Sequence, residues 1–294
     1  MVLDHHQEKV GLGAFLDRPI ILAKTVYNPR QGRFNRNILM SIHSAMILAA
    51  GRGERLRPLT DVLPKPLIRV GEYRLIEYHL RALATAGIHD VVINVAHLGD
   101  LIEQTLGDGA AWDVRIRYSR EPEGALETAG GIHNALPLLG DEPFLVINGD
   151  VRCDFPLALL KLAAPARMHL MLVPNPAHHP QGDFSLVDDR SPGLLSRPSG
   201  GLPTYTYAGL GVYTPSLFAK MPAGRARLAP LIHQCIGSGH ASGELYRGYW
   251  LDVGDTERLA RARRDAFNRP SNRKLASADV QDPDPLLPPQ DLSL

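Results

Sequence analysis

The sequence has no excess of either charge and very little cysteine. Lys and Arg number 32 and Asp and Glu number 31 among 294 residues, which gives a formal net charge of +1. Proteins that wrap nucleic acid are expected to be strongly basic, so we expect no nucleic-acid partner. The two cysteines, Cys153 and Cys235, are too few for a disulfide framework and lack metal-ligand spacing. We therefore expect free thiols and a reducing, cytoplasmic location.

Long hydrophobic runs are missing as well. No apolar stretch reaches the roughly 20 residues that a membrane-spanning helix needs, so we expect no membrane partner. Residues 1–44 show no sustained periodicity, and residues 268–294 are rich in Pro, Asp and Ser. We predict that residues 1–44 lie outside the fold, with Met40 or Met46 as alternative starts of translation. A single domain is then expected over residues 45–267, followed by a disordered tail over 268–294.

Between these ends, apolar runs typical of buried strands alternate with helical patterns. Strands are predicted at residues 90–96, 114–119 and 144–147, and helices at 73–86 and at 126–139, the last interrupted by two glycines. This alternation predicts βαβ units and an α/β, Rossmann-like three-layer fold with a central, mostly parallel sheet. Ligands of such sheets bind beyond the carboxyl ends of the strands.

Residues 45–70 carry the most specific pattern in the chain. An apolar run ends at Gly51 and Gly53, with three arginines interleaved, and Lys65 follows between two prolines. Glycines allow the backbone to approach a ligand closely, and successive N–H groups at such a turn suit phosphate oxygens. The prolines favour extended backbone around Lys65, which would hold its ammonium on a stiff arm. The segment therefore predicts an anionic ligand at the end of a strand.

Two well-known phosphate loops are excluded here. The P-loop pattern is absent, and Leu56 stands where the dinucleotide fingerprint needs its third glycine. The pattern that remains, G-x-G-x-R-x-x-P-x-T-x-x-x-P-K-P, resembles the signature of the sugar-1-phosphate nucleotidylyltransferases. The resemblance implies their nucleotidyltransferase fold and two catalytic residues, Arg55 and Lys65. It also implies a nucleotide-binding strand end formed by Leu48, Ala49, Ala50, Gly51 and Gly53.

Two carboxylates follow apolar runs farther along the chain. Asp150 closes residues 144–147 in an Asn-Gly-Asp motif, and Asp252 follows Trp250 and Leu251. Each suits a hard cation near phosphates, although an aspartate that caps a turn is commoner. Asp255 is an alternative to Asp252 as the second carboxylate, but it stands where the last helix needs an N-cap residue. The resemblance implies that Asp150 and Asp252 share one Mg²⁺.

Residues 126–131 (LETAGG) begin a predicted helix whose first N–H groups are free to bind a ligand. The resemblance places nucleobase recognition here, with Thr128, Gly130 and Gly131 as the binding residues. Members of the family usually have glycine where this chain has Glu127, so base contacts at that position are in doubt. From the residues alone, a plain N-capped core helix is an equal alternative.

The sugar site is predicted from residues 175–186 (NPAHHPQGDFSL). His178, His179 and Asp183 are poorly spaced for zinc. This loop and the LETAGG segment resemble those of N-acetylmuramate α-1-phosphate uridylyltransferases, enzymes of peptidoglycan recycling. The implied substrates are a nucleoside triphosphate and a sugar-1-phosphate, and the oligomeric state stays open. Alternatives are a mannose- or heptose-1-phosphate guanylyltransferase and a non-catalytic regulatory subunit. The candidate sugar-binding residues are Asn148, Gly182, Asp183 and Tyr207.

Overall fold

The computed structural model of the protein describes residues 23–28, 33–122, 126–189 and 191–268. Its strands are β1 Ala23–Asn28, β2 Arg33–Met40, β3 Ser44–Leu48, β4 Arg69–Val70, β5 Tyr73–Arg74, β6 Asp90–Val95, β7 Arg115–Arg120, β8 Phe144–Asn148, β9 Val151–Cys153, β10 Leu162–Ala163, β11 Met168–Val173, β12 Ser185–Leu186, β13 Gly193–Ser196, β14 Thr206–Tyr213, β15 Ala241–Leu245 and β16 Trp250–Asp252. Its α-helices are α1 Leu59–Val62, α2 Leu75–Thr85, α3 Gly99–Leu106, α4 Glu127–Leu139, α5 Ala229–Gly237 and α6 Thr256–Asn268. Among these described helices, none has both the length and the apolar character that a bilayer crossing requires.

The described residues are organised around a nine-stranded sheet in the order β12-β13-β15-β11-β14-β8-β3-β6-β7. Strand β3 lies between β8 and β6 and runs parallel to both, and β6 is parallel to β7. Strand β14 pairs antiparallel with β8 and β11, and β13 pairs antiparallel with β15. The predicted α/β fold with a parallel central sheet is confirmed, and the antiparallel pairs involve strands from the second half of the chain.

Helices cover both faces of the sheet because alternate side chains of each strand point to opposite sides. Ala45 and Ile47 of β3 belong to one buried cluster, together with Leu80 of α2. Met46, between them, belongs to the cluster on the other face, together with Ile132 of α4. The strand is therefore buried on both sides, which explains its continuous apolar run and gives the three layers.

A third buried cluster fixes the segment that follows β3. Leu56 and Ile68 from that segment pack with Leu251 of β16 and Leu259 of α6. The last strand and helix of the described chain therefore hold the glycine- and arginine-rich loop against the sheet.

Helix α4 is continuous, so the predicted interruption at Gly130 and Gly131 is wrong. Glycine lowers helix propensity, but tertiary packing overrides it here. A side chain at Gly130 would collide with the carbonyl oxygen of Gly224, and one at Gly131 with the carboxylate of Glu121. The two glycines therefore let neighbouring groups approach the helix closely.

The segment before residue 45 contains structure that its sequence does not predict. Strands β1 and β2 form an antiparallel hairpin, and the end of β2 pairs with β10. The pairing of β2 with β10 depends on a distant partner, which local periodicity does not reveal. Strand β3 begins at Ser44 and α6 ends at Asn268, and the predicted domain bounds of 45–267 stay a prediction. Residues 1–22 and 269–294 lie outside the described residues, and whether residues 1–44 are dispensable stays a prediction.

Candidate active site

The loop after β3 is braced by two of its three arginines. Arg52 donates 2.6 Å to the carbonyl oxygen of Thr60 and pairs with Asp61, while Arg57 Nε lies 3.0 Å from the same carboxylate. The hydrogen bond from Arg52 holds the pKa of Asp61 below its usual value. Arg55 has no hydrogen bond or ion pair within the described part of the chain. It is therefore the arginine that is free to bind an anion.

A cleft of about 460 Å³ opens at the carboxyl ends of β3 and β8. Sequence-predicted residues that line it are Leu48, Ala49, Ala50, Gly51, Gly53, Arg55, Lys65, Thr128, Asn148 and Asp150. Residues from four separate segments therefore meet where ligands of a parallel sheet are expected.

Lys65 and Asp150 form an ion pair on the wall of this cleft. Lys65 Nζ lies 2.5 Å from Asp150 Oδ2, and the two side chains are 14% and 30% exposed. Lys65 begins a short 3₁₀ helix directly after Pro64, and Asp150 follows β8. A cation and an anion are thus held side by side, each largely shielded from water.

Asp252 lies in a segment whose backbone is hydrogen-bonded to that of Asp150, and it is not part of the described cleft wall. Strands β16 and β9 pair antiparallel, and the backbone N–H of Val253 donates 2.8 Å to the carbonyl oxygen of Asp150. Arg258 binds Asp252 Oδ2, whereas Asp252 Oδ1 is buried and accepts no hydrogen bond from any described residue. Two carboxylates on neighbouring strands, one with an unsatisfied buried oxygen, fit a hard divalent cation that completes its shell with phosphates and water.

The start of α4 is only partly available to a ligand. The N–H groups of Ala129 and Gly130 both donate to the carbonyl oxygen of Ala226, at 3.0 and 3.1 Å. Gly130 and Gly131 are buried and do not line the described cleft, whereas Thr128 does. The roles predicted for these three residues stay predictions.

Glu127 adopts a backbone conformation that favours glycine. Its φ is 60°, which L side chains rarely adopt. Its carboxylate lies 3.0 Å from Arg225 Nη2 and lines the cleft. This chain therefore places a carboxylate on the cleft wall at a position whose backbone conformation favours glycine.

Asn94 and Glu121 line the cleft and were missed by the sequence interpretation. Asn94 Oδ1 accepts the N–H of Ala49 at 2.8 Å, and its Nδ2 donates 2.7 Å to Glu121 Oε1. Glu121 Oε2 accepts the N–H of Leu126 at 2.7 Å. This buried network ties the ends of β3, β6 and β7 to the entrance of α4. An asparagine inside the apolar run 91–95 was the available signal.

Of the four candidate sugar-binding residues, one lines the cleft and three lie elsewhere. Asn148 lines the cleft, whereas Gly182, Asp183 and Tyr207 are not part of its described wall. Asp183 accepts hydrogen bonds from the Tyr207 N–H at 2.8 Å and pairs with His179 at 3.0 Å. The Tyr207 hydroxyl contacts that of Tyr213, and burial raises the pKa of Tyr207 to about 12.

The two cysteines are free. Burial raises the pKa of Cys153 to about 11, so its thiol stays protonated at neutral pH. A thiolate nucleophile is not expected there, because the thiolate is the reactive form.

The fold and the cleft together match a known class of protein. The nucleotidyl transferase family model matches residues 44–269, and the chain belongs to this family. It is 50% identical over 224 residues to the N-acetylmuramate alpha-1-phosphate uridylyltransferase of Neisseria meningitidis, covering 74% of this chain and 96% of that protein. The enzyme of the same name from Caulobacter vibrioides is 35% identical over 226 residues, covering 72% of this chain and 92% of that protein.

A solved structure from Bacillus anthracis shares the fold. This protein, assigned as a glucose-1-phosphate thymidylyltransferase, superposes with a TM-score of 0.66 at 21% identity. The superposition covers 80% of this chain and 99% of that one. At this level of identity the likeness supports the architecture alone.

Proposed function

We propose that this protein transfers the uridylyl group of UTP to N-acetylmuramate α-1-phosphate, in the cytoplasm, as a step of peptidoglycan recycling. The observation that carries the proposal is the 50% identity to a uridylyltransferase of that specificity, of which the chain covers 96%. The cleft is lined by Arg55, Lys65 and Asp150, to which we assign roles in this reaction.

In the proposed reaction an oxygen of the sugar phosphate attacks the α-phosphorus of UTP. A new phosphorus–oxygen bond forms, the bond to the β-phosphate breaks, and pyrophosphate leaves with the electron pair. No covalent protein nucleophile is needed, so catalysis depends on positioning and on charge stabilisation. Arg55 stabilises the departing pyrophosphate. Lys65 holds the α-phosphate and the incoming sugar phosphate, which otherwise repel each other.

We assign a Mg²⁺ site to Asp150 and Asp252. The cation would supply positive charge next to the reacting phosphates, and Mg²⁺ commonly takes one or two carboxylates together with substrate oxygens. The adjoining backbones of the two residues and the unsatisfied Oδ1 atom of Asp252 support this assignment. Lys65 pairs with Asp150 and balances its charge.

The lactyl carboxylate of N-acetylmuramate adds a negative charge that a neutral sugar lacks. A buried, unpaired carboxylate is strongly disfavoured, so the site must offer positive or hydrogen-bonding groups. The candidates are His178, His179, Arg190 and Arg197, of which Arg197 is exposed and Arg190 lies outside the described residues.

The test is a product assay with UTP, GTP, CTP and dTTP against N-acetylmuramate-, N-acetylglucosamine-, glucose- and mannose-1-phosphate. We expect the highest kcat/KM for UTP with the muramate sugar. Faster turnover of GTP with mannose-1-phosphate would replace the proposal with a guanylyltransferase. Nucleotide binding without turnover of any pair would indicate a regulatory subunit, although the presence of Lys65, Asp150 and Asp252 favours an enzyme.

A further inference from the structure

Arg258 lies directly behind the part of the cleft wall that Gly254 forms. A side chain at Gly254 would collide with the Arg258 guanidinium, whereas the glycine backbone lets the two approach closely. Gly254 itself lines the cleft, and the Arg258 side chain is 11% exposed. A permanently charged group is thus held just beneath the surface that faces the ligand.

The Arg258 guanidinium is shared among three partners. Its Nε lies 2.9 Å from Asp255 Oδ2, and its Nη1 binds Asp252 Oδ2 and lies 2.9 Å from His178 Nε2. A guanidinium donates hydrogen bonds and cannot accept them, so His178 Nε2 is the acceptor.

This arrangement leaves one oxygen of Asp252 without a donor. Asp252 Oδ1 lies 3.3 Å from His178 Nε2, but the lone pair of that nitrogen is already directed to Arg258. No described residue donates a hydrogen bond to this oxygen, and it is buried. A buried anionic oxygen without a donor is costly, so the site favours a cation there.

The surrounding carboxylates are compensated by nearby cations. Asp150 is paired with Lys65, and Asp252 and Asp255 are paired with Arg258. Arg55 also acts on Asp255 through its charge. The buried Oδ1 atom of Asp252, rather than the net charge of the cluster, is therefore what points to a cation.

We infer that Arg258 is a positioning residue that orients Asp252 toward a divalent cation and, through His178, couples that cation to the loop of residues 174–183. The inference rests on the proposed function, since the cation on Asp252 is part of it. It goes further in assigning Arg258 a role and in linking two regions, the cation site and the candidate sugar loop. A helix-capping role alone would require the pair with Asp255 but not the contacts with Asp252 and His178.

The first test measures Mn²⁺ binding by electron paramagnetic resonance in the presence of the preferred nucleotide. The quantity compared is the loss of the free-ion signal beyond the loss that the same nucleotide causes without protein, because a nucleoside triphosphate itself binds Mn²⁺. We compare the wild type with Arg258→Gln, Arg258→Lys and, as a matched control, Arg261→Gln. Arg261 is on the same helix, is exposed and has Asp265 as its ion-pair partner, at 3.8 Å. We expect at least tenfold weaker Mn²⁺ binding for Arg258→Gln, partial recovery for Arg258→Lys, and no change for the control.

The second test is a double-mutant cycle with His178→Ala, read as the KM for the sugar phosphate. We expect His178→Ala to raise this KM severalfold in the wild-type background and to change it little in the Arg258→Lys background. The cycle uses Arg258→Lys so that the test remains possible if Arg258→Gln does not fold. A single ammonium is not expected to reproduce the forked contacts with Asp252 and His178. Additive effects in the cycle, or Mn²⁺ affinity within twofold of wild type in a folded Arg258→Gln variant, would overturn the inference.

The assays separate failure of the inference from failure of the proposed function. Every variant is measured with the nucleotide and sugar that the wild type prefers, whichever pair that is. A different preferred pair overturns the uridylyltransferase proposal and leaves the Arg258 comparison valid. If the wild type turns over its substrates but binds no Mn²⁺, the inference about Arg258 is overturned and the substrate assignment stands.

Discussion

His79 should make the folded protein less stable at mildly acidic pH. The imidazole is 7% exposed on α2, it hydrogen-bonds with the Gly149 backbone, and its Nε2 has no partner among the described residues. Burial, reinforced by the nearby Arg152 guanidinium, lowers the pKa of His79 from 6.5 to about 4. The neutral imidazole is therefore the form that the fold accommodates.

The direction of this pH dependence follows from how many protons the folded and the unfolded chain bind. Between pH 6.5 and about 4 the unfolded chain binds a proton at His79 and the folded chain does not, so stability falls as the pH falls. The full difference corresponds to about 3 kcal/mol of unfolding free energy at 1.36 kcal/mol per pKa unit. About 2 kcal/mol of it falls between pH 7 and pH 5, above the range in which most carboxylates titrate.

Urea unfolding at pH 7 and pH 5, in the presence of a metal chelator, measures this difference. We expect the loss at pH 5 to shrink by about 2 kcal/mol in His79→Gln, which removes the ionisable group. His43→Gln, at an exposed position, is the control and should keep the wild-type loss. The reasoning is refuted if His79→Gln keeps the full pH dependence while unfolding in a single cooperative transition.

Three substitution experiments test the cleft and its supports. Lys65→Ala should lower kcat/KM about 10²–10³-fold, as expected for loss of a group that stabilises developing charge, and Lys65→Arg should restore it incompletely. Asp150→Ala and Asp252→Ala should each nearly abolish kcat, and the double variant should be little worse, because residues that act as one unit are non-additive. Gly209→Ala should lower the unfolding free energy by about 1–2 kcal/mol, measured in urea, because alanine is strained at positive φ. The φ of Gly209 is +77°, and its new Cβ would lie 2.7 Å from Asn148 Nδ2.

Each of these predictions has an outcome that would contradict it. Near-wild-type turnover by Lys65→Ala would remove the catalytic role of that residue. Independent, multiplicative losses at Asp150 and Asp252 would argue for separate functions rather than a shared cation. Unchanged stability of Gly209→Ala would show that the Asn148 side chain yields without cost.

The central fold and the nucleotide loop were predictable because their signals are local. The apolar run of β3 and the helical period of α2 depend on which faces are buried, and that information is carried by neighbouring residues. The Gly, Arg, Lys and Pro positions of residues 51–66 likewise reflect backbone and charge requirements within one short segment. The strand end, Lys65 and Asp150 line one cleft, and their roles stay predictions.

Tertiary structure decided which of several similar residues is available to a ligand. By residue type alone Arg52, Arg55 and Arg57 are equivalent, and only the family resemblance singles out Arg55. The folded position of Asp61 engages the other two. The bridge from Asn94 to Glu121 joins residues that are distant in sequence, and Arg258 approaches Asp252 beneath Gly254, where no side chain intervenes. A sequence pattern specifies what a segment must bury or bind, but ion pairs and hydrogen bonds between segments are determined when the chain brings their atoms within about 3 Å.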